Sequence, residues 1–404
     1  MLIEASQRSL KPLTGMNIPQ WLSSMIFNTA TESGERVTPD TAISLSTFFN
    51  AVKLLGETIG QIPVGVYKVT VEDGCTKKRL YTAHPAHQLV ALRPNSYMHA
   101  FTFNRVMMNH VLRFDNAFAL IERDGFGRPL SMIPIHPDRV TIKITEDQEV
   151  FYEIDGQYLI SKTHMIHLMD YTEDGIIGKS KVSILRQELG NAIATNKFIG
   201  AFFGKGVNVS GFLKTKGYLA DQEAIKRLKT SFVKQVVNSA FGVGVLENDM
   251  DWIKNEVNPV EAQLGENRKL NAQVVAQILN VPLPFLKVLE DAKYSNMEQL
   301  DIQFSKYTIT PWLVNWEQEY TLKLFSKEER KRGNLIFMHD MNALMRGDMV
   351  SRGKFYESMT KTGAYSPNNV LEDENKDTFK GGNVHVIGPG YQILEQMTAG
   401  ENNG

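Results

Sequence analysis

Residues 278–298 read Ile278-Leu-Asn-Val-Pro-Leu-Pro-Phe-Leu-Lys-Val-Leu-Glu-Asp-Ala-Lys-Tyr-Ser-Asn-Met-Glu298, and the chain is organised around this stretch. Pro282 and Pro284 cannot donate backbone hydrogen bonds and crowd the preceding turn, so a helix must stop there. Upstream, Asn258, Pro259 and Glu261 match an N-cap, a first helical residue and a reciprocating N3. Between these signals Leu270, Val274, Ile278 and Val281, with Val275 and Leu279 alongside, form an apolar helical stripe facing Glu266, Lys269, Gln273 and Gln277. Downstream, Ser295-Asn-Met-Glu298 fits a capping box that opens a second helix carrying Met297, Leu300, Phe304 and Tyr307. The spacing predicts two helices joined by a short loop, Phe285 to Tyr294.

Composition sets the outer limits. A chain of 404 residues exceeds a single compact core, so two or three modules are expected. Lys and Arg number 44 against 45 Asp and Glu, a formal charge of -1, which lacks the basic footprint of a protein that grips DNA phosphates. Cys75 is the single cysteine, so no intramolecular disulfide forms, in keeping with a reducing compartment. Residues 1–20 carry no signal-peptide pattern, and no window reaches the roughly 18 continuous apolar residues of a membrane span. The expectation is a soluble, unprocessed protein.

In chain order, residues 1–41 are a polar lead-in. Ser46 to Gln61 is an amphipathic helix with Phe48, Val52, Leu55 and Ile59 on one face, followed by a strand, Val64 to Val69, and a second helix, Ala100 to Phe114. Asn116 to Arg123 and Leu130 to Ile135 flank Asp124-Gly125 as a hairpin, and short strands follow at 140–144, 150–154, 158–160 and 165–169. This first part is α+β. Ile184 to Phe203 is a helix with Leu185, Leu189, Ile193 and Phe203 near one face and small residues that permit close packing. A β-α-β insert follows, with Lys214, Lys216, Lys226, Arg227, Lys229 and Lys234 preceding Glu247, Asp249, Asp251 and Glu256; that asymmetry suits a solvated surface of both signs or a docking face. Beyond Phe325 come a charged segment, a strand at Leu335 to Met338 and a helix from about Asp348 to Thr360. A Gly- and Asn-rich tail follows from Lys376.

Signals for catalysis are weak. His164, His167 and Asp170 are residue types that ligate metals or share protons, but on a strand the two histidines point to opposite faces. Gly200-Ala-Phe-Phe-Gly204-Lys-Gly206 has three residues between its glycines where a phosphate loop has four, and Gly206 stands where that loop carries Ser or Thr. No nucleophile elbow is present.

Several short signatures occur in a telling order. They are Leu92-Arg-Pro-Asn95, Asp115-Asn-Ala-Phe-Ala119 with Arg123-Asp-Gly125, Pro134-Ile-His-Pro137, and Phe202-Phe-Gly-Lys-Gly206. Asn280-Val-Pro-Leu-Pro284, Tyr294-Ser-Asn-Met-Glu-Gln299, Leu344-Met-Arg346 with Asp348, and Gly381-Gly382 continue the series. From about residue 45 to 390 this order resembles the portal proteins of tailed bacteriophages, of the HK97 type. Asp115 departs from a usual glycine, and Asn369 and Leu371 stand where the family carries Glu and Arg.

The resemblance implies an α+β portal fold. It divides into an N-terminal arm (1–40), a wing (41–183), a first stem helix (184–206), an α/β clip (207–257) and a second stem helix (258–282). A tunnel loop (283–295), a long wing helix (296–330) bent near Pro311, a helical crown (331–380) and a flexible tail (381–404) complete it. It further implies a homo-oligomeric ring, usually a dodecamer, assembled in the host cytoplasm and placed at the portal vertex of the capsid, with double-stranded DNA passing through in transit. The expected partners are the large terminase, the major capsid protein or scaffold, and a head-completion adaptor, with no membrane, cofactor or enzymatic activity. Phe285, Lys287, Glu290, Asp291, Lys293 and Tyr294 would face the channel. Lys214, Lys216, Lys226, Lys229, Glu247, Asp249 and Asp251 would dock the motor or adaptor, and Leu189, Ile193, Leu270, Val274 and Ile278 would pack the stem. The rival readings are another head-tail connector ring and a metal-dependent hydrolase using His164 and His167.

Overall fold

The computed structural model describes residues 11–12, 31–72, 75–145, 147–204, 211–214, 251–254, 261–286, 297–341, 349–374 and 376–385, with helical positions 223, 226, 227 and 230. It divides into two compact units, Met1–His339 and Asp340–Gly404.

In the first unit Lys11–Pro12 forms β1 and Pro39–Ala42 forms α1, which opens with a Thr38/Thr41 capping box. Ser46–Gln61 is α2, and the stripe read from its sequence is the one it buries: Phe48, Val52, Leu55 and Ile59. Strands β2 (Val64–Glu72) and β3 (Cys75–Leu80) form an antiparallel pair, and α3 (Pro85–Ala91) leads to α4 (Ala100–Phe114). Helix α4 packs along α2 and buries Phe103, Met107, Met108, Val111 and Leu112.

Helix α4 ends at Asp115, which has φ 61. This left-handed conformation explains why the resemblance places glycine here, and aspartate is among the few other residues that tolerate it. Strand β4 (Asn116–Arg123) follows at once, and the chain returns as β5 (Pro129–Ile135). The turn between them is built by the Asp124 carboxylate, which accepts from the amides of Phe126 and Arg128 at 2.9 and 2.7 Å, and its left-handed residue is Gly127, not Gly125. Strands β6 (Val140–Ile144), β7 (Val150–Ile154), β8 (Tyr158–Ser161) and β9 (Met165–Met169) complete two sheets, ordered β1-β6-β7-β8 and β5-β4-β9. Phe118, Ile135, Ile142, Tyr152, Ile154 and Met165 make a buried cluster. β4 is central in its sheet, so its run Ala-Phe-Ala-Leu-Ile is apolar on both faces.

A short helix α5 (Lys181–Ile184) precedes α6 (Arg186–Gly204), which falls within the range expected of a first stem helix. Strand β10 (Gly211–Lys214) pairs antiparallel with β11 (Asp251–Lys254), and α7 (Glu261–Ile278) packs against α6 and α2. After the loop come α8 (Met297–Gln303), a π-helical turn (Phe304–Ile309) and α9 (Thr310–Leu324). α10 (Lys327–Arg332) and β12 (Leu335–His339) close the unit. The strand at 335–338, expected in the crown, instead pairs with β2 from Leu335↔Lys68 to His339↔Val64. The physical reason is burial: Phe337 stacks on Phe325, and both are buried within this unit.

The second unit contains α11 (Met349–Lys361) and α12 (Pro367–Asp373). Asn369 reciprocates Ser366 in a capping box, so the position where the resemblance has Glu serves here as a cap. Gly382 belongs to this unit and not to a free tail: its carbonyl accepts from Asn368 N at 2.9 Å, and a Cβ would overlap the Asn368 side chain. Among the described residues no helix is long and apolar enough to cross a membrane.

Candidate functional site

The site is where the chain leaves α7 and where it returns, the described residues on either side of positions 287–296. Helix α7 turns Ala272, Val275, Ala276 and Leu279 inward, where they are buried, while Val274 and Ile278 are half-buried and Leu270 is 58% exposed. Within the single chain the small residues Ala272 and Ala276 lie on the inner face of α7, and Leu270, expected to pack the stem, is turned outward. Leu189 and Ile193 on α6 are buried. Asn280 ends α7 in the left-handed conformation at φ 51, two residues before Pro282. Pro282 then precedes a one-turn 3-10 helix, Leu283–Leu286, that contains Pro284 and in which Leu286 is buried and Phe285 packs edge-on against Phe304 with centroids 5.2 Å apart. Phe285, which the resemblance implied would face the channel, is half-buried in this contact.

The returning leg carries the irregularity expected near Pro311. Proline has no N–H for the carbonyl four residues back, that of Tyr307. The chain responds with a π turn in which Thr310 N bonds Ser305 O, leaving the Tyr307 carbonyl to accept from Asn280 Nδ2 at 2.9 Å. In return the Thr308 hydroxyl donates to the Asn280 carbonyl at 2.5 Å. Beside these bonds lies a cleft of about 290 Å³ lined by Asp170, Lys181, Asn280, Tyr307, Trp312 and Asn315, among others.

Helix α9 is bolted to the strands β9 and β12. Asn315 Nδ2 donates to Met169 O at 3.1 Å, the His167 amide to Glu319 at 3.0 Å, and the His339 amide to Glu317 at 2.7 Å. Lys323 sits 3.4 Å from Glu319, donates to Lys162 O at 2.6 Å, and lends its own carbonyl to Arg123 at 2.5 Å. Burial lowers the Lys323 ammonium against the pull of Glu319. His167 bonds Tyr152 OH through Nδ1 at 3.1 Å and Asn116 Oδ1 through Nε2 at 3.0 Å. Burial, with Lys323 and Lys162 adding repulsion, pushes its imidazole down to about 3, so it stays neutral. Both ring nitrogens are engaged in packing β9 to its neighbours, and His164 lies apart in the 3-10 turn before β9. At the other end of β9, Lys181 bridges Asp115 at 3.3 Å and Asp170. Burial pushes the Asp115 carboxyl up to about 7 even though Lys181 opposes the rise. Gly178 closes over this pair, since a Cβ there would overlap the Asp115 carbonyl oxygen.

The other expected site residues are scattered. Lys214 and Asp251 are cross-strand partners in the β10–β11 pair, and Lys226 is exposed. Lys216, Lys229, Glu247, Asp249, Lys287, Glu290, Asp291, Lys293 and Tyr294 lie outside the described residues. Asn280 and Thr308 were not singled out from sequence. The signal was available: an Asn closing a helix two residues before proline, and a proline four residues after an unpaired carbonyl.

The phage portal protein family matches residues 46–375. The chain belongs to that family. The portal protein of Enterobacteria phage HK97 is 24% identical over 371 residues, covering 90% of this chain and 86% of that protein. An HK97-family phage portal protein from Corynebacterium diphtheriae superposes with a TM-score of 0.58 at 17% identity, over 76% of this chain and 96% of that one. A chain from the neck of a native gene transfer agent particle, computed with C12 symmetry, superposes with a TM-score of 0.55 at 16% identity, over 91% and 96%. This portal protein is accordingly a structural component of the virion and not an enzyme, which overturns the hydrolase reading of His164 and His167.

Proposed function

We propose that this portal protein assembles into a ring, of twelve subunits on the precedent of the C12 neck, that lines a channel for double-stranded DNA at one capsid vertex. One observation carries the reading. Helices α7 to α9 are apolar on faces that the chain itself leaves open: Leu270, Ile302, Tyr307, Val314 and Leu322 are all exposed, Tyr307 at 60% and Leu322 at 55%, while the opposite face of α9 buries Leu313, Trp316, Tyr320 and Leu324. Large apolar side chains left exposed along three successive helices call for a protein partner, so a second copy of the chain supplies the cover. The near-neutral charge suits a conduit, because a wall that bound phosphates tightly would hold DNA still.

Residues 287–294 are the channel-facing segment in this reading, and the insert at 207–257 docks the terminase motor and later the head-completion adaptor through Lys214, Lys216, Lys226, Lys229, Glu247, Asp249 and Asp251. The major capsid protein or scaffold holds the ring at the vertex. Electron microscopy of the purified protein should show rings, and a monodisperse monomer across micromolar concentrations would overturn the proposal. Deleting residues 287–294 should leave rings intact while reducing the DNA packaged or retained by particles; unchanged packaging would remove the loop from the mechanism.

A further inference from the structure

The two legs of the loop are joined below it by two hydrogen bonds in which no loop residue takes part. Each leg carries a backbone carbonyl whose i+4 donor position is a proline, Pro284 for one and Pro311 for the other. On the descending leg it is Asn280 O, at the end of α7, and on the returning leg it is Tyr307 O, stripped of its donor by Pro311. Each is satisfied by a side chain from the other leg, Asn280 Nδ2 to Tyr307 O and Thr308 Oγ1 to Asn280 O. Thr308 is only 5% exposed, so water cannot readily replace its hydroxyl. The residue type at 280 is narrowly chosen. Its φ of 51 suits Gly, Asn or Asp, and of these only Asn brings a donor; Asp would aim oxygen at oxygen, and Gly would bring nothing. The Phe285–Phe304 contact closes the same base one step nearer the loop.

We propose that Asn280 and Thr308 are positioning residues: they staple the loop's two legs in one register and so fix where residues 287–296 leave the wall of the channel. This rests on the channel-loop reading above and adds the device that aims the loop. The π turn is part of it, since its shift of one residue accompanies the pairing of the Tyr307 carbonyl with Asn280. A push on the loop is then passed to α7 and α9 together instead of being absorbed by bending at one ankle.

The test uses full-length rings of Asn280→Gly, Thr308→Val and Thr308→Ser. Asn280→Gly keeps the left-handed turn and removes only the amide; Thr308→Val keeps the shape and removes the hydroxyl; Thr308→Ser restores it. Limited trypsin digestion at Lys287 and Lys293 should run about fivefold to tenfold faster in the first two and at the wild-type rate in Thr308→Ser, with melting temperature and ring images unchanged. Cleavage unchanged in both variants, or accelerated equally at the exposed Lys78 on β3, which pairs with β2, would overturn the staple. Failure of the ring reading is seen separately, in images of the wild type, and failure of the channel-loop reading in the packaging of the 287–294 deletion.

Discussion

The helix pair α2–α4 and the helix series α7–α9 are built from similar numbers of apolar residues used in opposite ways. In α2 and α4 the apolar side chains converge on one face, and the chain buries them: Phe48, Leu55, Ile59, Met107, Met108 and Val111 are fully enclosed. In α7–α9 they are spread around the helix, and the chain buries only half. The first arrangement completes a core within one subunit. The second leaves the subunit unfinished, which is what a part made to stand in a circle of identical parts requires. The contrast separates residues that hold the fold from residues that hold the assembly.

The largest effect should come from breaking the first region. Phe48→Ala empties a fully buried site and should cost about 3–5 kcal/mol, removing folded protein and rings together. Denaturant melts read it; a well-folded variant would mean that α2 is not the keystone of this core.

Next comes acid. His167 and His110 are held neutral in the fold, with folded values of about 3 and 4, chiefly by burial. Below the ordinary histidine value of 6.5 the unfolded chain takes up protons that the folded chain refuses, so stability drains as pH falls from 6.5 toward 4. Asp115 acts in the opposite sense: its folded carboxyl keeps a proton up to about 7, so its contribution is full at low pH and is lost as pH rises through that value. Two histidines against one aspartate leave about 1.4 kcal/mol of stability lost per pH unit over that interval. His167→Gln should flatten the slope, as urea titrations at several pH values would show.

The smallest change in subunit stability should come from Leu322→Asp and Val314→Asp, both exposed on α9, at about 0.5 kcal/mol or less. Their effect on assembly should nonetheless be complete, with monomers replacing rings in light scattering and electron microscopy. If these variants assemble normally, the open faces of α7–α9 are not what joins one copy to the next.

Most of the elements were legible from sequence because local signals decided them. The stripe Phe48, Val52, Leu55, Ile59 and the hairpin at Asp124 each follow from a period or a turn residue a few positions away. What sequence missed was decided at a distance. Leu335–His339 reads as a strand, but nothing near it says that its partner is β2. Leu270 sits on the expected stripe, yet which side of α7 turns inward depends on Ala272 and Ala276 meeting the rest of the unit. For the site, the two prolines and the capping signals announced a loop, and Pro311 announced a bend. The Asn280–Thr308 staple stayed hidden because its two halves are separated in sequence by the whole loop.

The pairing of β12 with β2 also bears on how the subunit is made. β2 leaves the ribosome early, yet the strand that covers one of its edges follows after helices α2 to α10. Until then the nascent chain carries an open edge able to pair with the same strand of another chain, a hazard for any polypeptide synthesised in many copies at once. Closure of this sheet is thus a late event in the birth of each subunit, and a ribosome that stops before residue 335 releases a chain with that edge still open.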